Sequence, residues 1–263
     1  MKVFLAINRT KPDAAEAAKL LRECLKTAGI EETASKESCD VIITLGGDGT
    51  ILSYAGTGKP LLGINLGRLG YMTALEQNEI ELAGRLGDGF TFEAVDRMML
   101  DIRVMRRKKC VYSATALNEA VITRSGMPQL CDMELSFNGM TVTRYAADGM
   151  IIATPTGSTA YSMSAGGPVV DPRLDAIIVT PVCSHNPAKS RSIVTNASTL
   201  VRIIPIALHA KQLCIAPDGR GGILLEPDDT VEISKSARTT TLIKKKDRSF
   251  GGLLYINDTD RPE

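Results

Sequence analysis

The stretch Asp40-Val41-Ile42-Ile43-Thr44-Leu45-Gly46-Gly47-Asp48-Gly49-Thr50 carries the fold reading. Residues 40–45 form a short, mostly apolar run that stops at glycines. A strand buried on both faces of a parallel sheet looks like this, because helices cover both of its sides. Its neighbours repeat the theme. Met1–Asn8 and Leu61–Asn65 read as further strands. Asp13–Thr27 reads as an amphipathic helix, with Ala14, Ala17, Leu20, Leu21, Cys24 and Leu25 near one face. Thr50–Ala55 can open a helix, and Glu79–Leu86 is a short one. Strand and helix alternate, so residues 1–96 are expected to form an α/β domain, Rossmann-like, on a parallel sheet.

The pattern changes near Asp96. Leu100–Met105 and Cys110–Ala114 flank the basic run Arg106–Lys109, which predicts a hairpin with a charged tip. Glu134–Phe137 and Met140–Thr143 flank Asn138-Gly139, the pair that a type I′ turn prefers. Leu200–Leu208, Gln212–Ile215, Ile223–Leu225 and Thr230–Ser234 are further short strands, punctuated by Pro217-Asp218-Gly219 and Pro227-Asp228-Asp229. Residues 97–244 are therefore expected to form an all-β, sandwich-like domain, and about residues 245–263 can pack back on the first domain. Arg106–Lys109 and Lys244–Lys246 are either anion sites or a solvated hairpin tip and edge strand, and the second is the reading taken, since lysine-rich edges guard against strand pairing between molecules.

Composition removes other classes. The chain has 263 residues with 31 Lys+Arg against 30 Asp+Glu, a net charge of +1. No global positive field holds nucleic acid or an anionic membrane. Trp is absent and aromatics make up 4%, which argues against stacking platforms for single strands. Val3–Ile7 is too short for a signal-peptide core, and no run approaches a membrane span. The six cysteines show neither close pairing nor zinc-ligand spacing, so reduced thiols of a cytoplasmic protein are expected. With two histidines, a multi-His metal site is not expected.

The chemistry gathers where glycine does. Of 23 glycines, eight fall within residues 46–70 and four within 149–167. Glycines 46, 47 and 49 let the backbone turn tightly and bring its N–H groups close to a ligand. A following helix would add its N-terminal donors, and Thr50 can cap it or contact phosphate. Asp48 is out of place in a phosphate nest. It either serves as a turn former, accepts a proton from an attacking hydroxyl, or holds Mg²⁺. The segment is neither a Walker A loop nor a G-x-G-x-x-G fingerprint. A second group, Gly63–Tyr71, also leaves a buried strand, and open α/β sheets bind ligands at that edge. A third, Asp148–Pro168, places six Ser/Thr hydroxyls and the phenol of Tyr161 between Thr154 and Ser164. It fits a polar ligand pocket and equally a Ser/Thr-rich structural turn. Asn118-Glu119 interrupts the apolar-leaning Ala114–Ile122; it suits recognition of a base edge and a ribose diol, or is an exposed strand end.

Gly46–Thr50, Gly63–Thr73, Asn118-Glu119 and Asp148–Pro168, in this order and spacing, resemble the NAD kinases. The pentapeptide alone also occurs in lipid kinases of the diacylglycerol and sphingosine type. The run from Asp148 to Tyr161 is far more specific. The resemblance covers about residues 40–220 and implies an α/β domain followed by a β-sandwich domain. It implies transfer of the γ-phosphate of ATP to the 2′-hydroxyl of the adenosine ribose of NAD, giving NADP. Asp48 would be the general base, with Gly49 beside the substrate and Gly46, Gly47 and Thr50 on the phosphates. Asn118 would read adenine and Glu119 the ribose. Thr159, Ala160, Tyr161 and Ser164 would line the dinucleotide pocket, with Thr156 nearby. Asp148 would approach the nicotinamide carboxamide, in a homodimer or homotetramer. No all-protein metal cage is visible, so Mg²⁺ or another divalent cation is expected to arrive with the nucleotide. The chain departs from the family after Cys183, where Ser184–Ser192 replaces the usual His-Ser-Leu-Ser segment before an Arg-Pro pair. Roles for His185 and Arg191 are therefore not carried over. Phe250–Glu263 also lacks the common basic-aromatic ending. The alternatives are a lipid or sugar kinase sharing the loop, or a non-catalytic dinucleotide sensor.

Overall fold

The computed structural model describes residues 1–67, 70–124, 131–186, 190–207, 213–226, 228–246 and 250–252. Arg68, Leu69, Leu208, Gln212, Pro227 and residues 253–263, on which expectations above touch, lie outside the described residues. The chain divides into two compact units, Met1–Asp96 with Thr240–Glu263, and Arg97–Thr239.

The first unit begins β1 (Lys2–Ile7), α1 (Ala14–Thr27), β2 (Glu31–Glu32), β3 (Val41–Gly46), α2 (Asp48–Leu52), β4 (Leu61–Asn65) and β5 (Leu75–Glu76), followed by a 3-10 helix at Gln77–Arg85. Its strands lie in the order β2-β1-β3-β4, with β5 also beside β4, and every pair is parallel. All six residues of β3 are buried, as the apolar run predicts. Helix α1 turns Ala14, Ala17, Ala18, Leu21 and Leu25 onto the core, while Leu20 is exposed and Ala18 takes the place expected for it. The helix expected at Thr50–Ala55 starts earlier, at Asp48, and lasts five residues. Gly56 and Gly58, with φ of 71° and 75° in the left-handed region, turn the chain away soon afterwards. Asp48 therefore sits inside the first turn of a short helix, and no long helix stands behind the loop.

The second unit carries β6 (Phe92–Arg106, which starts in the first), β7 (Lys109–Ala116), β8 (Glu119–Arg124), β9 (Cys131–Phe137), β10 (Met140–Ala147) and β11 (Gly149–Ala153). A 3-10 turn (Thr156–Thr159) and α3 (Tyr161–Ser164) precede β12 (Ala176–Val182), β13 (Ile193–Asn196), β14 (Val201–Ala207), β15 (Leu213–Pro217), β16 (Ile223–Leu224) and β17 (Asp229–Lys245). One sheet runs β13-β12-β11-β8-β15-β16; the other runs β10-β9-β14-β17-β6-β7. Their inner faces share one core, with Ile122, Met150, Ile152 and Val179 from the first and Leu100, Ile102, Leu135, Ile203 and Val231 from the second. Two antiparallel sheets over a common core make a sandwich. The hairpin tips follow the sequence: Arg107 and Lys108 have φ of 47° and 66°, and Asn138 and Gly139 have 51° and 85°. Strand β17 is far longer than the Thr230–Ser234 expected, since no Gly or Pro interrupts residues 230–246. Its last residues return to the first unit, where Leu242 and Ile243 pair in parallel with Leu61 and Leu62.

Candidate active site

In the first unit the glycine–aspartate loop leaves the C-terminal end of β3. Gly46 is buried, and an added Cβ there would overlap the Thr50 hydroxyl. Gly46 thus lies beneath the loop's surface, whereas Gly47, Gly49 and Thr50 line a cleft of about 520 Å³ together with Asn8, Lys11 and Tyr54. Nothing lies within 4 Å of the position a Gly49 side chain would take. A ligand can approach the loop backbone there without steric opposition.

Asp48 points away from solvent toward the second glycine group. Its carboxylate accepts N–H bonds from Tyr71 (2.9 Å), Met72 (3.1 Å) and Thr73 (3.3 Å). An added methyl at Gly70 would bring its carbon 2.7 Å from Asp48 Cγ, so Gly70 has to be glycine for the carboxylate to dock. The Gly63–Tyr71 segment, read as a ligand loop, therefore also seats the acid. Lys244 is buried and donates to the carbonyls of Tyr71 (3.0 Å) and Thr73 (2.8 Å), locking the segment whose N–H groups face Asp48. The basic run at 244–246 is corrected accordingly, since Lys244 is a core cation of the site and only Lys246 is exposed. The run at 106–109 is corrected in part, because Arg106 forms a fork with fully buried Asp229 at 2.7 and 2.9 Å. Burial pushes the Asp48 carboxyl above the ordinary carboxylate range, against the pull of the three N–H groups and Lys244.

In the second unit Asn118 and Glu119 stand at the start of β8, both 6% exposed. Glu119 pairs with Ala153 at the end of β11, which delivers the Thr154–Ser164 segment to the same place. The hydroxyls of that segment divide into two groups. Thr154 Oγ1 donates to the Leu117 carbonyl (2.6 Å), Ser158 Oγ to the Pro155 carbonyl (2.7 Å), and Ser162 Oγ pairs with Thr180 Oγ1 (3.0 Å). These three hold the turn together, so part of the Ser/Thr richness is structural. Thr159 Oγ1 reaches the Thr156 carbonyl at 3.3 Å. Thr156 Oγ1 is buried with no partner, while Tyr161 and Ser164 are exposed and Thr159 and Ala160 half-buried. Gly157 is set directly on Asn118, where an added Cβ would come 2.7 Å from the Asn118 Cα. Asp148 pairs with Arg124 at 2.9 Å, at the other end of β11.

Sequence reasoning missed two residues. Lys244 looked like a solvated edge, and Asp218 looked like turn punctuation. Asp218 instead accepts N–H bonds from Leu117, Asn118 and Glu119. A Pro-Asp-Gly tripeptide signals a turn, but nothing local says which distant amides its acid will meet. Among the described residues, no group of three or more His, Cys, Asp or Glu side chains gathers as metal ligands, all six cysteines are free thiols, and no helix is long and apolar enough to cross a membrane.

An acid in a strand-end glycine loop of a parallel α/β unit, followed by a β-sandwich that carries buried, unpaired polar side-chain atoms, fits the class of nucleotide-dependent kinases. Family models agree: residues 8–85 match the ATP-NAD kinase N-terminal domain, and residues 117–245 match the ATP-NAD kinase C-terminal domain. The chain is 38% identical over 238 residues to the NAD kinase of Carboxydothermus hydrogenoformans, covering 88% of this chain and 84% of that protein. It is 40% identical over 239 residues to the NAD kinase of Thermoanaerobacter pseudethanolicus, covering 89% and 83%. Among solved structures, an Archaeoglobus fulgidus NAD kinase in complex with ATP superposes at TM-score 0.77 with 25% identity, covering 97% of this chain and 99% of that one. Yeast NADH kinase complexed with NADH has the same fold, at TM-score 0.86 and 22% identity, covering 100% and 89%. The chain belongs to the NAD kinase family and is an enzyme that phosphorylates NAD to NADP with ATP.

The dinucleotide role expected for Tyr161, whose exposed ring opens α3, is open to a direct test. Tyr161→Ala is expected to weaken NAD binding on the order of tenfold, as loss of an aromatic face does, and to leave ATP binding nearly unchanged. Titration of each nucleotide checks this. Equal weakening of both would put Tyr161 outside the dinucleotide pocket.

Proposed function

We propose that the enzyme transfers the γ-phosphate of ATP to the 2′-hydroxyl of the adenosine ribose of NAD, with Asp48 as general base. A ribose hydroxyl is a weak nucleophile at neutral pH, and a carboxylate near it assists as its proton leaves. The raised pKa of Asp48 makes its carboxylate a stronger base than a solvated aspartate. Gly47, Gly49 and Thr50 hold donor phosphates at the cleft, and Gly46 supports them from below. In the second unit Asn118 reads adenine, Glu119 takes the ribose hydroxyls, and Thr156, Thr159, Ala160, Tyr161 and Ser164 line the dinucleotide site.

One observation carries the reading. The described buried side-chain atoms that lack a hydrogen-bond partner are Thr73 Oγ1, Asn118 Oδ1, Glu119 Oε2 and Thr156 Oγ1. The first belongs to a residue of the Asp48 seat, and the other three lie in the proposed dinucleotide pocket. Buried polar atoms are normally paired, because each unpaired one costs about 1–3 kcal/mol. In this reading a bound dinucleotide supplies the missing partners of Asn118, Glu119 and Thr156.

Among the described residues Asp48 is the acid of the loop, and its carboxylate accepts three N–H groups. The divalent cation, Mg²⁺ or an equivalent, is taken as part of the substrate, arriving with the triphosphate whose oxygens bind it. Asp148 would take the nicotinamide carboxamide, exchanging its Arg124 partner. A homodimer or homotetramer and a cytoplasmic setting, the latter in keeping with six free thiols, complete the reading. Incubation with NAD, ATP and Mg²⁺, with NADP analysed for the position of its added phosphate, tests it. Phosphate at any hydroxyl other than the adenosine 2′ position would refute the assignment.

A further inference from the structure

The corner that presents Asn118 and Glu119 is built on Asp218, 100 residues away from Asn118 in the chain. Asp218 follows β15 in a turn where it and Gly219 both take positive φ, 48° and 67°. Its Oδ2 accepts the N–H of Leu117 (2.8 Å), and its Oδ1 accepts those of Asn118 (2.8 Å) and Glu119 (3.1 Å). Its own N–H donates to the Glu119 carbonyl at 2.9 Å. Three consecutive N–H groups converge on one carboxylate only where the chain bends, and here the bend lies between β7 and β8. It leaves the Asn118 and Glu119 side chains buried with Oδ1 and Oε2 unpaired. The acid is thus an anionic peg inside the fold, holding the backbone while the two side chains wait for a ligand.

We infer that Asp218 is a positioning residue for NAD phosphorylation: it fixes residues 117–119 so that Asn118 and Glu119 face the adenosine end of the dinucleotide, and its negative charge sets the pH at which Glu119 engages ribose. This rests on reading Asn118 and Glu119 as dinucleotide ligands. Burial first, and the neighbouring Asp218 charge second, push the Glu119 carboxyl up to about 7. Asp218 is the charged group acting on Glu119; burial pushes its own carboxyl up, and the three N–H groups, with the exposed Arg220, pull it back toward the ionised form. Ribose hydroxyls donate hydrogen bonds, which the ionised carboxylate accepts best. NAD affinity therefore rises as pH increases through the Glu119 value.

NAD binding is measured by calorimetry across the neutral pH range for the wild-type protein and for Asn118→Ala, Asp218→Asn and Asp218→Glu. Asp218→Asn is expected to weaken NAD binding on the order of tenfold above neutrality, through loss of one charge-assisted N–H bond. It is also expected to move the midpoint of the pH dependence downward, because the charge that hinders Glu119 ionisation is gone. Asp218→Glu keeps that charge and the wild-type midpoint. A merely structural role for Asp218 would lower affinity without moving the midpoint. Wild-type affinity and midpoint in Asp218→Asn overturn the inference. Unchanged NAD binding by Asn118→Ala overturns instead the pocket reading on which it rests. Should Asp218→Asn fail to fold, hydrogen exchange of the Leu117, Asn118 and Glu119 amides in the wild-type protein decides. Strong protection with and without NAD supports the peg, and unprotected exchange in the NAD complex overturns it.

Discussion

Asp48→Asn is expected to lower the rate of phosphate transfer on the order of 10²–10⁴-fold, the range that general-base assistance supplies. The shape of the side chain is preserved. Its carbonyl oxygen can still take the Met72 and Thr73 N–H groups that Oδ1 accepts, whereas the Tyr71 N–H, now bound by Oδ2, would face an amide. That lost bond costs about 1–3 kcal/mol. It is offset in part because a neutral amide no longer resists burial as the carboxylate does. The fold and NAD binding should therefore persist while turnover collapses. The wild-type enzyme has a matching pH signature. The carboxyl is raised above its ordinary value, so the base form is lost at a higher pH than for a solvated aspartate. The acid limb of kcat/KM should lie correspondingly higher and vanish in the variant. Stability moves the opposite way: the folded protein holds this proton more tightly than the unfolded chain, so this group's contribution is full at acid pH and declines as pH rises through the raised value. Near-normal turnover by Asp48→Asn would reduce Asp48 to a turn former.

The second large effect is expected from a methyl group. Gly70→Ala changes no charge and leaves Asp48 in place chemically, yet the new carbon would occupy space that the Asp48 carboxylate now fills. The carboxylate cannot step aside without breaking its bonds to Tyr71, Met72 and Thr73, and the segment carrying those amides is held in turn by Lys244. A displacement of about 1 Å at a reacting group can lower a rate on the order of 10²-fold. Turnover should fall by about that factor, with the melting temperature moving far less than turnover and NAD affinity nearly constant, since Asn118 and Glu119 are untouched. Kinetics and thermal melts on the purified variant check this. Wild-type turnover would mean that the seat of Asp48 does not govern catalysis.

Much of the fold was legible because it depends on near neighbours. The apolar run at 41–45 reads as a doubly covered strand and Asn138-Gly139 as a tight turn, and the structure has both, since local backbone preferences weigh heavily in each. Other features were read with the wrong extent. The helix after the loop starts at Asp48 and stops at Leu52, and β17 runs seventeen residues, because element ends depend on tertiary packing as well as propensity. The hydroxyl-rich segment was legible as special, but not which hydroxyls were free. Thr154, Ser158 and Ser162 spend theirs on the turn, and only packing reveals that Thr156 is left over.

By itself, the sequence determined the glycine loop, the acid within it, the Asn-Glu pair and the family, because each is a contiguous string whose chemistry is local. Only the tertiary structure decided how those groups are held. Asp218 meets amides about 100 residues away, and Lys244 reaches carbonyls 171 and 173 residues away. A turn aspartate and an edge lysine look ordinary in a string of letters. They acquire roles when folding removes water from them, since a buried charge must then find hydrogen-bond partners wherever the chain brings them.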